Sequence, residues 1–153
     1  MSQTTYPDEP AVKFAGLIAR PDAEKISVIA DAAIAFGRFV AIGTTDRAAK
    51  LPTSDAEVVA GHGFAVADIS QEYDATGYAH EQMVTVLRRG YVYVVSETAT
   101  TKHAQVYVRH TTLNLGEVRN DVDGGNAGIL AGARFAETIA GAGLVMVEFF
   151  ATI

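Results

Sequence analysis

The chain has no cysteine and no tryptophan. Without cysteine there is no disulfide framework and no thiolate metal site, so the fold must rest on its own apolar core. Proline occurs only four times and charged residues make up only 20% of the chain. Basic residues are the scarcer sign, 12 against 18 acidic, giving a formal net charge of −6. A chain that grips nucleic acid by its phosphates needs a clustered basic face, and none is visible here. Long hydrophobic runs are missing as well. The longest, residues 143–151, is broken by Glu148 and falls far short of the ~20 residues of a membrane-spanning helix. The opening stretch, MSQTTYPDEP, lacks the basic and apolar regions of a signal peptide, and none is expected.

What is present is a soluble chain of 153 residues that favours a single domain. A chain of this length buries roughly 68–70% of its unfolded surface, enough for a core without staples. Residues 83–95, MVTVLRRGYVYVV, form its strongest segment. They read as two β-branched strands joined at Arg88-Arg89-Gly90, with Gly90 supplying the turn. Strands apolar on both faces belong inside a sandwich or barrel, which places this hairpin at the centre of the core.

The rest of the chain reads in order around it. Residues 2–10 are polar and carry Pro7 and Pro10, which predicts an extended arm. Phe14, Leu17 and Ile18 are apolar anchors just beyond. Boundaries fall at an arm over residues 1–22 and a β domain over 23–153. Within residues 23–36, Ile26, Ile29, Ala30 and Ala33 follow a helical stripe that Asp22 would cap, although Ile26, Val28 and Ile29 also fit a short strand. The stripe slightly favours the helix.

Strands are expected over 36–42, opened by Gly37, and over 64–67, 105–110, 129–139 and 144–150. Loops are expected over 44–55, 70–80 and 120–128. In 105–110, Val106 and Val108 should point inward, with Tyr107 and Arg109 outward. Short strands with Gly-rich turns indicate an all-β barrel or jelly-roll-like sandwich. The pattern predicts burial of Val84, Val86, Val92, Val94, Val106, Val108 and Val145.

Motifs that carry chemistry are sparse. Asp121-Val122-Asp123-Gly124 hints at a calcium loop, but Gly125, Asn126 and Gly132 stand where that pattern needs an oxygen ligand, a glycine and the bidentate Glu. Turn chemistry explains the cluster without a metal. His62, His80, His103 and His110 form no H-x-H or H-x-x-x-H pair, and no Walker loop, G-x-S-x-G or G-x-G-x-x-G occurs. No catalytic residue, cofactor or metal ligand is therefore assigned. Arg88 and Arg89, at the expected hairpin tip, are candidates for pairing with an acidic partner; a solvated turn is the simpler explanation. Tyr73 and Tyr78 are the local aromatic pair a carbohydrate site would use.

The succession of segments resembles a known family. An apolar AVKFAGLIA precedes AFGRFVAIGT, GFAVAD, VTVLRRGYVYV, QVYVR, LAGARFAET and GLVMVEF. This order resembles the structural cement, or decoration, proteins of tailed bacteriophages. There, a glycine-opened strand like 36–40 and a strand like 63–67 precede a V-L-R-x-G-x-V-x-V hairpin like 86–94 and a G-A-R-F segment like that ending 129–135. The similarity spans about 11 to 149. Ala35 and Leu130-Ala131 depart from it, since the family pattern often has proline there. The resemblance implies that residues 23–35 are arm or strand.

It further implies a non-enzymatic protein on the outer surface of a virion capsid. Such a protein binds the major capsid protein as a homo-oligomer, dimer or trimer, and stabilises the shell by bridging its subunits, with no cofactor, membrane or direct nucleic-acid partner. Tyr6, Phe14, Leu17, Ile18, Arg88 and Arg89 are then the expected partner-binding residues. A carbohydrate- or receptor-binding β-sandwich module of a virion or cell surface is the alternative, and a small barrel enzyme a third.

Overall fold

The structure is a computed structural model and describes residues 13–67 and 76–151. It is almost entirely β. In chain order the strands are β1 (Glu24–Ala30), β2 (Ile34–Ala35), β3 (Phe39–Ile42), β4 (Ala48–Lys50), β5 (Gly63–Ala65), β6 (Gly77–Tyr78), β7 (Met83–Ser96), β8 (Gln105–Arg109), β9 (Val118–Arg119), β10 (Ala127–Phe135) and β11 (Gly143–Phe150). A short α-helix, α1 (Asp55–Val59), lies between β4 and β5, and a single 3-10 turn, Asp123–Gly125, precedes β10.

β7 is the axis of the molecule, but it is not a hairpin. Its 14 residues run without a turn through Arg88, Arg89 and Gly90. Each half has partners of its own, which a hairpin would forfeit. Residues 83–89 pair with β1, from Ile29↔Met83 to Glu24↔Arg89, and residues 89–96 pair with β11, from Phe150↔Arg89 to Gly143↔Ser96. Gly90 serves a strained strand position and a close approach instead of a turn: its φ of +139° is one that L side chains rarely adopt, and a Cβ there would press within 3.2 Å of the Ala23 Cβ.

The pairing closes twice on this strand. β1, β4, β3, β5 and β7 return to β1; β7, β11, β10, β8 and β9 return to β7. Closure of this kind removes sheet edges that would otherwise pair with other chains. Two cores result. The first gathers Val28, Ala30, Ile34, Val40, Val84 and Val86. The second gathers Val92, Val94, Val106, Val108, Val145 and Val147, with Phe39, Phe64 and Leu87 facing into it from the first ring. Phe39, Phe64 and Phe149 meet edge-to-face, with centroids 5.5–6.3 Å apart. Pairs of this geometry add about 0.5–1.5 kcal/mol beyond area burial. All seven valines expected inside are fully buried.

In place of the helix favoured over residues 23–36 stand the strands β1 and β2. β1 alternates, with Val28 and Ala30 inward, while Ile26 and Ile29 of the supposed helical stripe remain exposed. The loop expected over 44–55 contains β4, which joins β1 in parallel at Ile29↔Ala48. Residues 76–78 of the expected 70–80 loop include β6, which pairs with β2 at Ile34↔Tyr78. Arg109, expected to face solvent, is buried.

Candidate interaction surface

The base of the N-terminal segment is tied to the barrel. Gly16 N donates to Tyr93 O (2.8 Å), Tyr93 N to Leu17 O (3.0 Å) and Ala19 N to Tyr91 O (2.8 Å), so residues 16–19 extend the sheet along β7. Gly16 is required there: its φ is +88°, and a Cβ would lie 2.6 Å from the Phe36 Cβ. Leu17 packs with Tyr93 and Met146, and Ile18 packs on the second core; both are half-buried. Phe14, 44% exposed, keeps much of its ring in solvent. Arg20 caps the Tyr91 ring at 4.0 Å and Lys13 the Tyr93 ring at 5.1 Å. Tyr6 lies outside the described residues.

The two arginines expected at a hairpin tip lie in mid-strand, because β7 does not turn. Arg88 is half-buried and donates to the carbonyls of His62 (2.7 Å) and Gly61 (3.4 Å), fastening the exit of α1 to β7. Arg89 is more open; it sits 3.9 Å from Glu24 and 5.5 Å over the Phe150 ring. The structure therefore separates the five expected residues it describes: Leu17, Ile18 and Arg88 contact the chain's own barrel, while Phe14 and Arg89 retain exposed surface.

A charge network closes one end of the second ring. Glu97 accepts two bonds from Arg109 Nε (2.7 and 2.9 Å) and one from Arg119 Nη1 (2.7 Å). Arg109 also reaches Asp123 (2.7 Å), and Arg119 reaches Asp121 (2.8 Å). The carboxylates of the suspected calcium loop are thus engaged by arginines, and the described residues contain no cluster suited to a metal. Burial would push the Glu97 carboxyl up, but the hydrogen bonds from Arg109 and Arg119 outweigh it and hold the group below its ordinary value. The Arg109 hydrogen bond does the same to Asp123. Nearby Glu117 is shifted the other way by burial, against the opposing charge of Arg38 3.1 Å away.

These shifts set the sign of the acid response. Glu97 and Asp123 bind protons less tightly folded than unfolded, so their contribution is present at neutral pH and lost as pH falls through their folded values. Glu117 opposes them, favouring the folded state as it protonates. Stability should fall on acidification below pH 4.5, the ordinary value for a glutamate. Glu97→Gln should cost about 3 kcal/mol at neutral pH by leaving two largely buried arginines short of charge, and should flatten the acid decline. Urea unfolding at several pH values checks both; a variant with wild-type stability and an unchanged acid limb would refute the assignment.

Beyond β8, Arg109 and Arg38 brace an exposed loop. Residues 111–116 place Thr112 at φ +73° and Asn114 at φ +60°, left-handed conformations that L-residues avoid. Such outliers cost roughly 1–3 kcal/mol each and persist only where the surroundings over-determine them. Here Arg109 donates to Thr111 O (3.2 Å) and Thr112 Oγ1 (3.0 Å), Arg38 to Leu115 O (3.0 Å), and Phe39 N to Gly116 O (2.9 Å). His110, buried, joins Asp55 (2.9 Å) to Thr111 Oγ1 (2.8 Å). At the tip, Leu113 is 79% exposed, the most exposed large apolar side chain among the described residues. Read as a sequence, residues 113–118 are only a short apolar stretch interrupted by Gly116; the strain that marks the tip as a presented feature appears only in the backbone. The braced tip offers rigid surface for contact.

The fold is similar to that of a chain in the solved capsid of Myoviridae phage XM1, with a TM-score of 0.73 and 18% sequence identity over 97% of this chain and 94% of that one. At this identity the likeness is one of fold. No curated protein matches the chain. The model of the structural cement protein family (E217 gp24/Pam3 gp6) matches residues 2–150, nearly the whole length. The chain belongs to the phage structural cement protein family.

Proposed function

We propose that this protein binds the outer face of a phage capsid and stabilises the shell by bridging neighbouring major capsid protein subunits, as a homo-oligomer and without catalysing a reaction. Family membership over residues 2–150 carries the reading. A ligand that binds the assembled lattice and not free subunits stabilises the lattice by mass action. Several weak contacts held by one oligomer gain avidity. The rigid double ring suits a part that must transmit load, and backbone hydrogen bonds fasten its N-terminal segment to β7 from Gly16 onward. The carbohydrate alternative loses one of its two tyrosines: Tyr78 is buried and donates its hydroxyl to Val66 O.

The segment preceding that fastening is the proposed clamp, with Tyr6 and Phe14 as its apolar anchors. Fully buried, each contributes roughly 1.5–3 kcal/mol. Deletion of residues 2–12 leaves the hydrogen bonds at Gly16, Leu17 and Ala19 in place. The expected outcome is a melting temperature close to that of the full chain together with at least tenfold weaker binding to capsids lacking the protein, read by co-sedimentation. Unchanged capsid binding by the deleted form would refute the clamp.

A further inference from the structure

The outer face of the second ring carries cations stacked on aromatic rings. Val92 and Val147 point into the core, so Arg89 and Tyr91 on β7 and Glu148 and Phe150 on β11 point outward, paired at Arg89↔Phe150 and Tyr91↔Glu148. Arg89 sits 5.5 Å over the Phe150 ring, the Phe150 and Tyr91 rings meet edge-to-face at 6.5 Å, and Arg20 sits 4.0 Å over Tyr91. The order across the face is therefore arginine, ring, ring, arginine.

Stacking leaves the edge of a guanidinium open. The ring covers its flat side, while the N–H donors lie in the plane and suit a carboxylate, two bonds at a time. Arg20 is exposed, and among the described residues no hydrogen-bond or ion-pair partner meets its donors. Arg89 has a side chain 54% exposed, and Glu24, at 3.9 Å, stands beyond hydrogen-bonding distance of it. Arg38, Lys50, Arg109 and Arg119 are different: each meets a carboxylate of this chain at 2.6–3.1 Å. Arg88 takes no part in the face, being engaged by the carbonyls of His62 and Gly61.

We propose that this face takes an acidic, extended segment of a partner protein, with carboxylates on the Arg20 and Arg89 forks and the chain between them over Tyr91 and Phe150. Charge selects the occupant. A protein of formal charge −6 repels an anionic partner at long range, so holding one requires a local cationic site with donors to spare. Rings that fix both guanidinium groups in advance leave little ordering to oppose binding. A nucleic acid is the poorer fit, since it is held through a run of neutralised phosphates and Glu24 and Glu148 lie among the cations here. Assigning the segment to the major capsid protein rests on the bridging role; the face itself does not.

Titration of the isotope-labelled full chain with a hexaglutamate peptide at low salt, followed by amide shifts in NMR, tests the face. The wild type should bind with a dissociation constant of about 1 mM or below, with shifts centred on Arg20, Arg89, Tyr91 and Phe150. Arg20→Gln and Arg89→Gln should each weaken binding at least about tenfold, the loss of one charge-assisted fork, at a melting temperature close to the wild type's because both side chains lie in solvent. Lys102→Gln removes an exposed cation from the turn after β7 and should bind as the wild type does. No binding by the wild type, equal losses for Lys102→Gln and Arg20→Gln, or equal binding of hexaglutamine would overturn the proposal. So would tighter binding of a six-nucleotide single-stranded DNA, which gives the face to phosphates. A tenfold gain in an Asp8→Asn, Glu9→Gln double variant would also overturn it, giving the face to the chain's own arm. Co-sedimentation with capsids, measured separately, reports on the bridging role, so the two ideas fail independently.

Discussion

Val86→Asp should abolish cooperative folding. Val86 is fully buried in the first core, on a strand paired with β1 at Ile26 and with β5 at Ala65. A carboxylate there has no described cation to meet, and desolvating an unpaired charge costs several kcal/mol, with the lost packing added to it. The whole fold of a domain this size is held by about 5–15 kcal/mol. Because β7 belongs to both rings, the damage is not confined to one of them. Scanning calorimetry should show no transition, or one lowered by tens of degrees; a wild-type-like melt would mean that β7 is not the shared wall of the two cores.

Gly63→Ala should be nearly as damaging, though it adds a single methyl. Gly63 has a φ of +149°, and a Cβ on it would overlap the Leu87 carbonyl oxygen, with the Val86 Cγ1 also only 3.1 Å away. The obstacle is backbone, which cannot rotate aside, so β5 would have to part from β7. A loss of about 3 kcal/mol or more is expected, read as a shift of the urea midpoint. Gly141→Ala is the control: nothing lies within 4 Å of its Cβ position and no left-handed φ is required. Its effect should stay within about 0.5 kcal/mol. Equal midpoints for the two variants would contradict the β5–β7 approach.

Much of the architecture was legible because it rests on period-two burial. The alternating valines of β7, β8 and β11 announce strands and their inward faces without reference to anything distant. Gly90 was misread because a glycine after two arginines looks like a turn, whereas the need it meets is the approach of Ala23, more than sixty residues earlier. β1 was misread for a related reason. Its outward Ile26 and Ile29 imitate a helical stripe, and only pairing with Met83 and Val86 settles the period as two. α1 did leave a local signal. Ser54 and Glu57 stand three apart, and Ser54 Oγ accepts from Glu57 N at 3.3 Å, as a helix-capping pair does.

The interaction surface was less accessible. Tyr6, Phe14, Leu17 and Ile18 stand out by being apolar near a chain end, but which of them turn inward depends on hydrogen bonds to Tyr91 and Tyr93. The burial of Arg109 depends on Glu97 and Asp123 arriving from two other segments. The strained tip at Leu113 is held by Arg38 and Arg109, whose roles no spacing in the sequence encodes.

The capsid-stabilising role is tested most directly by genome release from phage particles assembled with and without this protein, followed by a DNA-binding dye as temperature rises. Particles lacking it should release DNA at a lower temperature, and adding the purified protein back should restore the higher one. Identical release temperatures in both preparations, with the protein shown to occupy the particle surface, would contradict the role.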